Sequence, residues 1–234
     1  LELLNEYQTG VPINLMYKIF STGIKTHRDH FAISFNREVI KNRVEDFGNK
    51  DLPDTLIKET YFLKDTRDWK LKEKRYSLAA KKSTDSYIKR IQYRPFDFRL
   101  CYLHTDFVEL PKSNVMDHMS NYDNLGISVS RSVRGDPWRD ILASKIPVEF
   151  GIMATRPGNS APLFPTYLYK KTKAGSTIKS NNFKSSFISS IETHLQLKWT
   201  SEGEGDLEQT IGPESIVGYT YGLLFSQSYR NRFS

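Results

Sequence analysis

The sequence predicts an α+β fold: a mixed or mainly antiparallel twisted sheet with flanking helices. Three observations carry that expectation. Short strand-like runs and helical patterns follow one another without regular βαβ alternation. The 234 residues are 38% hydrophobic and 13% aromatic, enough for a substantial core. Gly, Pro, Asn and Asp punctuate the chain at short intervals, and no internal repeat is apparent.

Residues 13–20 read as a strand. The turn-like GIKTHRDH follows, and in FAISF the apolar Phe31, Ile33 and Phe35 alternate with small residues as in a half-buried strand. Asn36 suits the N-cap of a helix carrying Val39, Ile40, Val44 and Phe47, stopped by Gly48 and Asn49. A second helix is expected over 65–82, with Trp69, Tyr76 and Ala80 on one side and Arg67, Lys70, Lys74 and Lys81 on the other. Strands are expected over 98–103, 125–130, 148–154 and 163–169, and SRSVRGDPWRD reads as a long exposed loop. After the capping cluster Ser180, Asn181 and Asn182, a helical stripe runs through Phe183, Phe187, Ile188, Ile191 and Leu195. The acidic, glycine-rich SEGEGDLEQ leads to a last helix beginning near Pro213, where proline suits the first turn. The expected organisation is a linker or edge element over 1–20, a main domain over 21–199, an acidic glycine-rich loop over 200–212 and the start of a helical segment over 213–234.

A net charge of +7 and a pI near 9.3 favour a polyanionic partner. No apolar run approaches the roughly 18 residues that span a bilayer, and the N-terminus has no secretory pattern, so a cytoplasmic location is expected. The chain opens without methionine and closes in the aromatic and basic QSYRNRFS, which reads as a segment of a longer polypeptide. Cys101 is the single cysteine, so no intrachain disulfide or cysteine-based zinc site is possible, and it reads as a buried small hydrophobe.

Motifs for chemistry are weak. His27, Arg28, Asp29 and His30 lack the helix that would align two imidazoles on a metal. Pro53 and Asp54, followed by Asp68, Trp69 and Lys70, satisfy the loose spacing of magnesium-dependent PD-(D/E)xK nucleases, with carboxylates for the metal and a lysine beside the attacking water. That chemistry needs Asp68 to Lys70 on a strand, and the pattern there is helical. No glycine-rich phosphate loop and no G-x-S-x-G elbow occurs. What remains is arginine interleaved with aromatics, as in YRPFDFR, and arginines in loops between strands. A guanidinium fork can bond phosphate oxygens or the O6 and N7 edge of guanine.

Six segments in order, FSTGIKTHRDHFAISF, DWKLKEKRYSL, YRPFDFRLCYL, NVMDHMSNYDNLGISVSR, LFPTYLY and IGPESIVGYTYGLLFSQSYRNRF, resemble the C-terminal target-recognition region of the type ISP single-polypeptide, ATP-dependent restriction-modification enzymes. GIKTHRDHF also looks like the G-I-x-T-x-x-x-x-F turn where many DNA adenine methyltransferases pass into their recognition region. The resemblance implies a target-recognition domain that reads double-stranded DNA for a bacterial defence enzyme. It places a nuclease, a helicase-like ATPase and an N6-adenine methyltransferase upstream in the same polypeptide. S-adenosylmethionine, ATP and Mg2+ would belong to those parts. The catalytic N-P-P-Y tetrad and Walker motifs are absent here, so no catalytic residue, cofactor or metal is assigned to this segment.

The expected DNA contacts are Arg131, Arg134, Arg139 and Arg156 at or near bases, and Lys25, Arg28, Lys70, Lys74 and Arg99 at phosphates. Within YRPFDFR, Phe96 and Phe98 are expected to pack and Arg94 to pair with Asp97. Two other readings stay open: the nuclease built on Asp54, Asp68 and Lys70, and a module that docks other domains and touches no DNA.

Overall fold

The computed structural model describes residues 5, 9–81, 85–130, 141–153 and 160–233. In chain order the elements are α1 (Ile13–Met16), α2 (Asp29–Ala32), β1 (Ile33–Ser34), α3 (Arg37–Gly48), α4 (Asp54–Thr60), α5 (Leu71–Ala79), a 3-10 turn (Asp85–Tyr87), β2 (Ile88–Arg94), β3 (Asp97–Tyr102), α6 (Ser113–Ser120), β4 (Gly126–Val129), β5 (Ile141–Ser144), β6 (Leu163–Pro165), β7 (Tyr167–Lys171), β8 (Thr177–Asn181), α7 (Ser185–Leu195), β9 (Lys198–Trp199), β10 (Thr210–Ile211), α8 (Pro213–Phe225) and α9 (Gln227–Phe233). The sheets are small, ordered β1-β3-β2, β5-β4-β6, β7-β8 and β10-β9, and all pairings are antiparallel except β9 with β10. This is the α+β class expected from the sequence.

The apolar residues form two clusters. In the first, α3 turns Ile40, Val44 and Phe47 inward at helical spacing, and Asn36 caps it by accepting the Glu38 N–H at 2.8 Å. These residues meet Phe31, Trp69, Tyr102 and Phe107, with the Phe31 and Phe107 rings stacked at 4.2 Å. In the second, Met16, Tyr17, Ile127, Phe164, Phe183, Phe187, Ile211, Ile216 and Val217 converge. That cluster joins residues before position 21 to residues after position 212. Segment 17–25 stitches the two clusters together through backbone pairs of Ser21 with Leu163 and of Ile24 with Val148 and Phe150.

Several elements differ from expectation, each because a tertiary contact overrides local pattern. Residues 13–20 form one helical turn, closed by the Leu15 N–H on Pro12 O, and then a single bridge from Tyr17 to Phe183. FAISF contributes only two strand residues, because Phe31 and Ala32 both donate to Arg28 O in a helical turn. The helix expected over 65–82 begins at Leu71. Trp69 turns into the core instead and donates its ring N–H to Asp106 O at 2.8 Å, while Tyr76 stays exposed. Of the strand expected over 148–154, the described residues 148–153 make isolated bridges at Val148 and Glu149 and then a turn, with the Ile152 N–H on Glu149 O. Thr166 splits the 163–169 strand in two by donating both N–H and hydroxyl to Leu125 O. Asn182 does not cap α7. It is buried, and its amide nitrogen donates to the Ile19 and Pro165 carbonyls. Helix α8 starts with Pro213 as expected. The acidic loop before it is closed by Asp206, which accepts the Glu208, Gln209 and Thr210 N–H groups and is thereby held down to about 2.

Candidate nucleic-acid interface

The GIKTHRDHF turn is built against Glu149. A Cβ on Gly23 would lie 2.4 Å from the Glu149 carbonyl carbon, so only glycine lets Ile24 reach its bridge with that residue. Ile24 and Phe31 point into the first core. The Thr26 hydroxyl accepts the Arg28 N–H at 3.0 Å and bonds the Asp29 carboxylate, while His27 takes a left-handed φ of 56°. Each named letter of the pattern therefore has a structural duty.

Arg28 is 4% exposed, and both of its Nη atoms are hydrogen-bonded. It lies 3.9 Å over the Trp69 ring and donates to Thr26 O at 2.8 Å and to Glu109 Oε2 at 3.1 Å. Expected at a phosphate, Arg28 is enclosed in this structure and anchors the turn. Burial lifts the Glu109 carboxyl, but bonds from Thr66, His27 and Arg28 outweigh it and leave the group below its ordinary value.

The YRPFDFR hairpin packs onto this turn. Tyr93 donates to Asp29 Oδ2 at 2.8 Å, and the guanidiniums of Arg94 and Arg99 each sit 4.1 Å from the Tyr93 ring centroid. Arg94 pairs with Glu149 at 2.6 Å and not with Asp97; the Asp97 carboxylate is taken by Arg99, also at 2.6 Å. The packing expected of Phe96 and Phe98 is corrected too. Phe96 is 95% exposed at the tip between β2 and β3, where Gln92 closes the turn by donating to Pro95 O at 2.8 Å. Phe98 lies on the outer face of β3 beneath Arg90, at 4.7 Å. Cys101 on the same strand is buried, which pushes its thiol far up and leaves it protonated and inert.

A surface concavity of about 650 Å³ adjoins the turn, lined by Lys25, Thr26, His27, Arg28, Asp29, His30, Glu149 and Phe150. Lys25 reaches across it over the Phe150 ring at 3.7 Å. Lys70 is exposed at the N-cap of α5, and Lys74 follows one turn later. Arg99 remains partly exposed beside Phe35, at 4.6 Å. Arg131, Arg134, Arg139 and Arg156 lie outside the described residues.

The nuclease reading loses its carboxylates to arginines. Asp54 pairs with Arg75, whose guanidinium also donates to the Phe47, Asn49 and Leu52 carbonyls, and Asp68 pairs with Arg67 at 2.7 Å. Among the described residues no group of three or more His, Cys, Asp or Glu side chains is placed to hold a metal. His30 Nε2 instead lies 2.9 Å from Tyr61 O.

The basic surface that sequence reasoning missed is the β7–β8 ribbon with Lys170, Lys171 and Lys173. One signal was available. Between Glu149 and Glu192 the sequence holds no acidic residue, but it holds Arg156, Lys170, Lys171, Lys173, Lys179 and Lys184.

The described residues thus form a basic α+β module with cations on turns and a hairpin. The chain belongs to the Type ISP C-terminal specificity domain family, whose model matches residues 15–234. Comparison with curated proteins gives no match. Solved structures that share the fold include three bound to DNA or a DNA mimic. In the cryoEM structure of a DrdV–DNA complex the match is 21% identical with a TM-score of 0.65, covering 93% of this chain and 20% of that one. For the ATP-dependent Type ISP restriction-modification enzyme LlaBIII bound to DNA the values are 19%, 0.67, 93% and 14%. A nuclease-deletion mutant of the Type ISP enzyme LlaGI, in complex with a DNA substrate mimic, gives 18%, 0.55, 95% and 19%. The chain thus spans a fifth or less of each of these polypeptides.

Proposed function

We propose that this specificity domain reads double-stranded DNA for a restriction-modification enzyme whose catalytic parts lie outside these 234 residues. The carrying observation is the family match over nearly the whole chain. The three structural relatives, each solved with DNA or a DNA mimic, support the same partner. The remaining parts of the enzyme would include an upstream methyltransferase in cis, and S-adenosylmethionine, ATP and Mg2+ would act there.

On this reading Lys25, Lys70, Lys74 and Arg99 fix register on phosphates, and Arg131, Arg134, Arg139 and Arg156 approach bases. Arg28, Arg94 and Glu149 hold the turn and hairpin that carry some of these groups. The test is duplex DNA affinity measured across a salt titration. We expect a steep loss of affinity with salt, and a slope shallower by about 2 in K70A/K74A, since each lost phosphate contact removes about 0.9. Absence of binding to any duplex at low salt would overturn the reading.

A further inference from the structure

Strands β7 and β8 form a two-stranded antiparallel ribbon, paired in register from Tyr167 with Asn181 to Lys171 with Thr177, with no third strand among the described residues. The turn at its end is closed by the Thr172 N–H on Ser176 O at 2.8 Å and by Gly175 at φ +85°.

The ribbon has two unlike faces, because paired residues alternate sides. One side is anchored to the body. Tyr167 donates to Glu214 and accepts the Gly203 N–H, Tyr169 stacks on Tyr122 at 4.0 Å, and Lys179 pairs with Glu202 at 2.8 Å. The other side presents Lys170, Ile178 and Ser180 to solvent, with Ile178 56% exposed. Lys171 and Lys173 lie at the exposed end. Among the described residues none of Lys170, Lys171 and Lys173 has an ion-pair partner, and no carboxylate occurs in the sequence from 150 to 191.

Five residues per strand at about 3.4 Å each make a finger of roughly 17 Å. The major groove is about 12 Å wide and admits a two-stranded ribbon of this kind. Charge favours the same occupant: three exposed ammonium groups, in a stretch of sequence without acidic residues, accompany one exposed apolar side chain, as suits phosphates flanking base edges. We propose that the β7–β8 ribbon enters the major groove, with Ile178 and Lys170 facing base edges and Lys171 and Lys173 reaching phosphates. This inference rests on the DNA-reading function above. It adds an element that the motifs of the sequence did not indicate.

The test uses the 234-residue chain and a pool of random duplexes, from which the wild type selects its preferred site. K170A/K171A/K173A is expected to lower affinity and to reduce the salt slope by about 2 to 3, with an unchanged thermal melt. Ile178→Ala is expected to alter the selected bases at one or two positions with the slope unchanged. Glucosylated 5-hydroxymethylcytosine, which fills the major groove, is expected to weaken wild-type binding at the site. If the wild type binds and the triple variant keeps its affinity and slope, the ribbon is not a contact and the proposal falls while the DNA-reading function stands. An Ile178→Ala selection identical to the wild type's would remove the ribbon from the groove. If the wild type binds no duplex at all, both readings fall together.

Discussion

The turn-and-hairpin region around Tyr93 and the β7–β8 ribbon are both basic, yet they use charge in opposite ways. In the first, Arg28 meets Glu109 and Arg94 meets Glu149. In the ribbon, Lys179 on the anchored face is paired while Lys170, Lys171 and Lys173 are exposed in a stretch of sequence without carboxylates. A cation enclosed with a carboxylate holds a fold together, because removing either member strands the other charge out of water. A cation left in water keeps its attraction for a polyanion. Richness in arginine therefore marks scaffold as readily as interface, and the local supply of acids separates the two.

The largest effect that would test this contrast is at Arg28. Arg28→Ala leaves Glu109, itself almost fully enclosed, without its guanidinium partner and with only His27 and Thr66 to meet its charge, and should cost about 3–5 kcal/mol in denaturant unfolding. Where the variant still folds, its salt slope for DNA should match the wild type's. A stable variant with a shallower slope would return Arg28 to the interface. Next is Gly23→Ala, whose new methyl group meets the Glu149 backbone and should cost about 1–3 kcal/mol. A neutral result by thermal melting would mean that the Ile24–Glu149 bridge is not essential.

The pH dependence of stability follows from Glu109 and Asp106. Burial opposes ionisation of Asp106, but His104, Lys81 and Ser77 outweigh it, so both carboxyls lie below their ordinary values. A depressed carboxyl contributes stability above its unfolded value, about 3.9 for Asp and 4.3 for Glu, and that contribution is lost as pH falls through the folded value. Unfolding free energy should decline from about pH 5 downward. Glu109→Gln should flatten that decline while lowering stability at neutral pH. Burial raises Glu149, despite bonds from Gly151 and Arg94, so its contribution runs the other way and weakens as pH rises from the ordinary glutamate value through the folded one.

The smallest effects separate two aromatics of one motif. Tyr93→Phe loses the bond to Asp29 and should cost about 1 kcal/mol. Phe96→Ala, at an exposed hairpin tip, should stay within about 0.5 kcal/mol in the same melt. Equal effects would mean that the hairpin tip packs against something in solution.

The sequence by itself determined the fold class, helix α3 with its Asn36 cap, the start of α8 at Pro213, and, to within a residue at each end, the strands expected over 98–103 and 125–130. Each depends on spacing, capping or backbone restriction within a few residues, which a linear reading registers directly. The family resemblance was legible for the same reason, since its motifs are contiguous. Only the tertiary structure decided that Trp69 leaves its helix for the core, that Arg94 chooses Glu149 over the nearer Asp97, and that Phe96 stays in water. It also decided that Arg28 is enclosed, while ribbon lysines overlooked in the sequence are exposed. Charge partnership and burial are settled between residues tens of positions apart, such as Arg28 and Glu109 or Arg94 and Glu149. Whether a cation braces the fold or faces a partner is thus known only once the chain has closed on itself.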